Sequence, residues 1–221
     1  MESNYDKVIE TWRQKFLTMD VDKIVEKFNL RRDENAIYIV YFSKELRIDL
    51  TTGIITYVED EGKKPNFNTT INIYNTFHYS IEHPVASNEL VPFRQVKRVY
   101  PFEDAYKRTI LARFVELFSG KCDLLEEACK KLDGTPFGKA DVGYSLPVYP
   151  FLKVAVTFWD ADEEFEAQVN MLFDSNITDF MHEENVVGVA SDALYYLSLE
   201  AGLGEEVVYG ELYKGSHNCG R

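Results

Sequence analysis

The chain lacks most of the motifs that announce a chemistry. It has no G-x-S-x-G nucleophile elbow and no phosphate-binding G-x-x-x-x-G-K-[ST] loop. Gly202-Leu203-Gly204 is too short, and too near the end, for a dinucleotide loop. Only three cysteines occur, Cys122, Cys129 and Cys219, and none forms a C-x-x-C pair. An odd count without that pairing excludes a disulfide framework and a zinc ribbon. Cys122 and Cys129 stand seven apart in a helical pattern, which reads as two small hydrophobes on one helix face. No apolar run is long enough to span a bilayer, and the polar start Met1-Glu2-Ser3-Asn4-Tyr5-Asp6 has no signal-peptide core. A cytoplasmic location is the default expectation.

Basic residues are missing from one long stretch. Between Val154 and Tyr213 there is no Lys or Arg, while 14 Asp and Glu occur. The formal net charge of the chain is -13, so this segment accounts for all of it and the remainder is close to neutral. Such a protein repels nucleic acid, whose backbone is bound through Lys and Arg.

What is present is a large apolar fraction, 45% with 14% aromatic, enough for a sizeable core and too much for a disordered chain. Its 14 tyrosines and 15 phenylalanines exceed what one small core needs, which raises a homodimer as a third option beside the two functions weighed below. Tyr5, Val8, Ile9, Trp12 and Phe16 recur at helical spacing and predict an amphipathic helix over residues 4–18. Asp20 then caps a short helix carrying Val21, Ile24, Val25 and Phe28. Residues 36–42 read as a strand covered on both faces. Leu46, Ile48 and Leu50 alternate with polar residues, and Thr51-Thr52-Gly53 turns the chain back through Ile54–Val58.

A helix is expected over residues 67–79, although its Asn and Thr content is unfavourable. Pro101 opens another with the stripe Tyr106, Ile110, Phe114 and Leu117. Ser119 is expected to cap the next, which Gly134 closes. Leu152 to Phe158 and Phe165 to Phe173 alternate with period two and predict a long hairpin. A last helix covers 183–200, followed by a Gly-rich tail. The whole reads as α+β: a mainly antiparallel sheet built from hairpins, with packed helices. The expected organisation is an N-terminal amphipathic helix (1–20), one α+β domain (21–201) and a tail (202–221).

Several quoted strings carry a family resemblance. They are Gly134-Thr135-Pro136-Phe137-Gly138, the Pro147–Pro150 segment, Phe158-Trp159-Asp160-Ala161-Asp162-Glu163-Glu164-Phe165, Leu172-Phe173-Asp174 and Met181-His182-Glu183-Glu184. Together, over residues 21–200, they resemble the prokaryotic family called domain of unknown function 3786, which is frequent in anaerobes. Some of its members carry an N-terminal cysteine motif for a four-iron–four-sulfur cluster. This chain has no cysteine before Cys122, so the resemblance implies no cluster here.

Two constellations are candidates for chemistry. The first is acidic with one histidine. Asp160 and Asp174 lie at opposite ends of the long hairpin, roughly 25 Å apart at about 3.4 Å per residue, so they cannot share a site. The turn acids Asp160, Asp162 and Glu163 then read as a solvated loop. Asp174, His182 and Glu183 remain as a speculative ligand set for a divalent metal, without the second histidine of the zincin pattern. The simpler reading of the carboxylates is a helix start. The second constellation is basic: Arg94, Lys97, Arg98, Lys107 and Arg108, with Arg113 beyond, a candidate anion site. The first functional expectation is a non-catalytic binding or accessory module of anaerobic metabolism, with no cofactor, whose partner is a protein or a small molecule. The alternative is a metal-dependent enzyme using the carboxylate/His cluster.

Overall fold

A computed structural model of the chain describes residues 3–60 and 62–204. The expected tail therefore lies outside the described residues from position 205 onward, as does Cys219. Helix α1 runs Asn4–Phe16, opened by a capping box in which Ser3 and Asp6 exchange hydrogen bonds. Helix α2 (Val21–Phe28) starts at the Asp20 cap and ends on Asn29 in the left-handed region.

The first sheet follows: β1 (Arg31–Arg32), β2 (Ala36–Tyr41), β3 (Lys44–Asp49) and β4 (Ile55–Tyr57), antiparallel in that order. The β2–β3 turn is Phe42-Ser43, both with positive φ, as a two-residue turn that follows strand twist requires. Neither residue is a glycine or asparagine, which is why the sequence did not mark this turn.

Helix α3 spans Phe67–Tyr79, as the sequence indicated, capped by Asn66, whose Oδ1 accepts from Thr69 N at 2.8 Å. After β5 (Leu90–Pro92) the chain forms α4 (Glu103–Ala105), a π-helical stretch Tyr106–Leu111, and α5 (Ala112–Phe118). Ser119 ends α5; it does not begin α6 (Cys122–Lys131), whose N-cap position is Lys121 without a side-chain bond. Asp160 accepts from Gly120 N at 2.9 Å and approaches Cys122 Sγ at 3.6 Å. Its carboxyl is held below the ordinary carboxylate range chiefly by that Gly120 bond. The turn acid expected to be solvated thus ties the hairpin loop to the α5–α6 junction.

The second sheet contains β6 (Thr135–Pro136), β7 (Val142–Tyr149), β8 (Leu152–Trp159) and β9 (Gln168–Asp174), in the antiparallel order β5-β9-β8-β7-β6. The predicted hairpin is β8–β9, with Trp159 opposite Gln168 and Val154 opposite Phe173. Helix α7 (Glu183–Glu200) closes the described chain. Both sheets, with hairpins and packed helices, make the fold α+β.

The sheets meet where Phe42 N donates to Val148 O at 3.0 Å. One continuous apolar cluster joins them, with Tyr41, Phe42, Tyr149 and Phe158 all buried. Helix α7 lies across this cluster with Val186, Val189, Ala190, Ala193, Leu194 and Leu197 each fully covered. A helix covered on nearly every side cannot show the one-sided stripe of a surface helix. Among the described residues, no helix is long and apolar enough to cross a membrane.

Tyr149 pins β7 to α3, its hydroxyl 3.0 Å from Thr76 Oγ1 with both groups buried. Tyr149→Phe should lower the unfolding free energy by about 1–2 kcal/mol, because the Thr76 hydroxyl is left without its partner. Urea unfolding checks this, and the midpoint should drop while the slope stays unchanged.

Candidate functional site

Helices α3 and α7 run antiparallel, and their shared face is polar. On α3 the buried positions include Thr69, Thr70, Asn72, Asn75 and Thr76. Five polar side chains in a buried helix face need partners, because an unpaired buried amide or hydroxyl costs several kcal/mol at the upper end of the range. Opposite stands Asp192 of α7, at 0% exposure. Its Oδ2 accepts from Tyr41 OH at 2.8 Å and Asn72 Nδ2 at 2.9 Å, and Asn66 Nδ2 lies 3.4 Å from Oδ1. Asn72 continues the chain outward: its Oδ1 accepts from Asn185 Nδ2 at 3.0 Å. Asn68 Nδ2 donates to Ser191 Oγ at 3.0 Å. On the far side Tyr196 OH joins Thr69 Oγ1 at 3.1 Å and Tyr57 OH at 3.0 Å.

The two helices approach closely at one point. A Cβ on Gly188 would sit 2.6 Å from Asn72 Oδ1, so only glycine leaves room for the amide.

This network is the floor of a cleft of about 660 Å³. Asn68, Asn72, Asn75, Asn185, Gly188 and Ser191 form its base. Val8 and Trp12 of α1 form one wall, and Phe102, Ala105, Thr109 and Ile110 the other. The second wall includes the π-helical turn, a distortion often found where a helix is shaped around a site. His182 and Glu184 stand at the mouth. The volume lies within the range of small-molecule sites, and convergent polar groups among apolar walls are their usual make-up.

Burial pushes the Asp192 carboxyl up to about 7, against the hydrogen bonds from Tyr41, Asn72, Asn66 and Thr69, which favour the carboxylate. The Tyr41 and Tyr196 hydroxyls are raised well above their ordinary range, first of all by burial. The two described cysteines are not reactive candidates. Burial raises the Cys122 thiol to about 11 and the Cys129 thiol to about 12, so neither supplies thiolate near neutrality.

The residues singled out from the sequence fall elsewhere or at the edge. Asp174 is 2% exposed and saturated by the 87–88 turn. It accepts from Ser87 Oγ at 2.7 Å, Ser87 N at 3.0 Å and Asn88 N at 2.8 Å. His182 is the N-cap of α7, its Nδ1 accepting from Glu184 N at 3.2 Å, and its Nε2 is 3.8 Å from Glu183 Oε2. Asp174, His182 and Glu183 are therefore each committed locally. Among the described residues, no group of three or more His, Cys, Asp or Glu is placed to hold a metal ion.

The basic set is not gathered into the cleft. Lys107 pairs with Glu103 at 2.6 Å, Arg113 with Glu116 at 2.6 Å, and Arg108 Nε donates to Asp104 O at 3.3 Å. Arg94, Lys97 and Arg98 are exposed on the preceding segment. None of the six lines the cleft.

Sequence reasoning passed over Asp192, Asn72 and Asn185. Two features could have found them: a carboxylate in mid-helix between Ala190 and Leu194, and Thr69, Asn72 and Thr76 at the i, i+3, i+7 positions that a helix buries.

Among known families, the model described as Domain of unknown function (DUF3786) matches residues 20–195. The chain belongs to the DUF3786 family. That span contains α2 through most of α7, so the Asp192 network and the amide floor lie within the family domain, while α1 adds a wall from outside it. No curated protein and no solved structure matches the chain.

The buried carboxyl makes stability depend on pH. An unfolded Asp192 titrates near its ordinary 3.8, whereas the folded group holds its proton to about 7. As pH rises from about 4 to 7, the unfolded state has released the proton and the folded state has not. Stability present at pH 4 is therefore lost through that window, on the order of 4 kcal/mol for this group alone. Asp192→Asn removes the titration. Urea unfolding from pH 4 to 8 should show the wild-type curve falling relative to the variant's; parallel curves would contradict this reading.

Proposed function

We propose that the chain is a non-catalytic binding module that takes a small organic molecule into the cleft between α1, α3, the 102–110 segment and α7. One observation carries this reading. The cleft floor is a row of asparagine side chains, of which Asn72 is held from behind by fully buried Asp192 and Tyr41 and in turn orients Asn185. A polar floor fixed by a second layer of hydrogen bonds is preorganised, and preorganisation lowers the cost of binding.

Catalysis is not part of the proposal. The polar groups facing the cleft are amides, a serine already bonded to Asn68, the Thr109 hydroxyl spent on Ala105 O, the Tyr79 hydroxyl, a histidine engaged as a helix cap, and Glu184 in the first turn of α7. Among the described residues, none of the cleft hydroxyls is hydrogen-bonded to the histidine or the carboxylate. The same module could act alone or as the accessory of a larger enzyme; the cleft is the ligand site in both cases.

The test uses ligand-observed NMR with a library of polar and aromatic small molecules. Thr109 lines the cleft and is exposed, so Thr109→Trp fills the space without disturbing the core. At least one compound should show saturation transfer with the wild type and lose it with Thr109→Trp, whose circular dichroism and melting should be unchanged. Compounds that bind the plugged variant equally well, or a library with no binder, would overturn the proposal.

A further inference from the structure

A second groove, of about 670 Å³, lies on the outer face of the five-stranded sheet and shares no lining residue with the cleft. We propose that it binds a small apolar monocarboxylate, whose carboxylate meets Lys153 and Ser145.

The register of the sheet builds the floor. Thr135 of β6 stands opposite Ser145 of β7, and Ser145 opposite Ala155 of β8. Lys153 lies two residues before Ala155 on the same face, and Leu90 of β5 stands opposite Asp174 of β9. Side chains alternate along a strand, so all of these share the face turned away from Val154, Val156 and Phe158 in the core. Ser145 and Lys153 are diagonal neighbours on adjacent strands. Such positions lie roughly 7 Å apart, within reach of a long side chain, so one small anion can touch both.

The polar groups of the lining are unequally spent. Ser145 is 8% exposed, and its hydroxyl has no hydrogen bond to any described residue. A polar group left so in the interior is satisfied from outside the chain. Lys153 is exposed and makes no ion pair or hydrogen bond with a described residue. Asp174 stands across from it, one register step beyond the Val154–Phe173 pair. Four donors already occupy Asp174: Ser87 Oγ, Ser87 N, Asn88 N and, at 3.3 Å, Asn176 N. The Thr135 and Ser145 hydroxyls and the Asn88 amide each offer both a donor and an acceptor, so they select no charge. What is left is one ammonium group, which can only donate. The Asp174 charge behind it sets the upper limit. A single cation beside a buried carboxylate suits a singly charged acid and repels a phosphate dianion.

The walls are apolar and fixed. Phe151 stacks on Tyr149 at 5.0 Å and on Phe180 at 5.5 Å between ring centroids. Phe137 N donates to Gly143 O at 2.9 Å, and Gly143 leaves no room for a side chain beneath the Phe137 carbonyl, so this segment lies close over β7. Pro84, Val85 and Pro136 complete the walls. Rigid apolar walls around one charged contact match an acid with an apolar body, and the volume is that of a small-molecule site.

The experiment titrates phenylacetate, its neutral isostere phenylacetamide, and phenethylammonium calorimetrically into the full chain at about pH 7.5. The variants are Lys153→Met, Ser145→Ala and Thr135→Trp. Thr135 is exposed and stands beside Ser145, so Thr135→Trp covers the floor without entering the core. Phenylacetate should bind at least about 10-fold tighter than the other two. Lys153→Met, which keeps an apolar stem, should weaken it about 10-fold, the loss expected for a charge-assisted hydrogen bond. Ser145→Ala should weaken it a few-fold while melting stays unchanged or rises, because no bond within the chain is lost. Thr135→Trp should abolish binding, and Thr109→Trp should not. An acid that survives Thr109→Trp but not Thr135→Trp belongs to this groove and counts against neither reading. An acid lost with Thr109→Trp and kept with Thr135→Trp overturns this inference and supports the cleft. Amide or ammonium binding as tight as the acid's overturns it, as does acid binding unchanged in Lys153→Met or absent at millimolar concentration. A Ser145→Ala variant that melts lower and binds the acid unchanged overturns the part given to Ser145.

Discussion

Everything around α7 depends on one buried carboxylate. Asp192 lies in the middle of a largely apolar helix and is fully buried. It can be tolerated there only if several donors converge on it, and those donors must come from different parts of the chain. Tyr41 comes from the end of β2, Asn72 from the middle of α3, and Asn66 from the cap of α3. The requirement therefore fixes the first sheet, α3 and α7 relative to one another in a way that apolar packing alone would leave degenerate. Gly188 belongs to the same constraint, since the Asn72 amide fits only where α7 has no side chain.

Once Asn72 is oriented by Asp192, the orientation passes outward. Its amide hydrogens face the carboxylate, so its oxygen faces the cleft side, and Asn185 must turn its amide hydrogens inward to meet it. The core carboxyl thereby sets how Asn72 and Asn185 present their amides to the cleft. This is a connection between stability and recognition that needs no movement. It also explains why the floor is built from asparagine: a side chain with a donor and an acceptor can transmit an orientation, and a serine hydroxyl, free to rotate, cannot.

The sequence made the regular elements legible where period and capping agreed. Residues 67–79 and 183–200 were read as helices with the bounds observed, and the β8–β9 pairing followed from strict alternation. Strand β7 was not read, because Gly143, Ser145 and Pro147 break the expected apolar pattern on a face that only tertiary packing covers. The site was legible in one respect only. The excess of Asn and Thr in α3 registered as a weakness of the helix, whereas it is the composition that a polar helix–helix interface requires. What single-residue reasoning could not supply is the pairing of position 72 with 185 and 192, which are more than a hundred residues away.

The acidic block from Val154 to Tyr213 carries the net charge of the chain, and within the described residues its carboxylates do separate tasks. Asp160 binds the α5–α6 junction, Asp162 folds its own loop by accepting from Glu164 N and Phe165 N, and Asp174 clamps the 87–88 turn. Glu183 and Glu184 offset the dipole of α7, Glu200 pairs with Lys44 at 2.6 Å, and Asp192 is the core anchor. Five of these seven take their partners from backbone amides or helix ends, which need no basic residue. A stretch can therefore lose every Lys and Arg without self-repulsion undoing the fold, provided its acids are spread along the chain at places where N–H groups are otherwise unpaired. The absence of basic residues then has a second effect: nothing positive from this segment reaches the mouth of the cleft, where Glu184 stands.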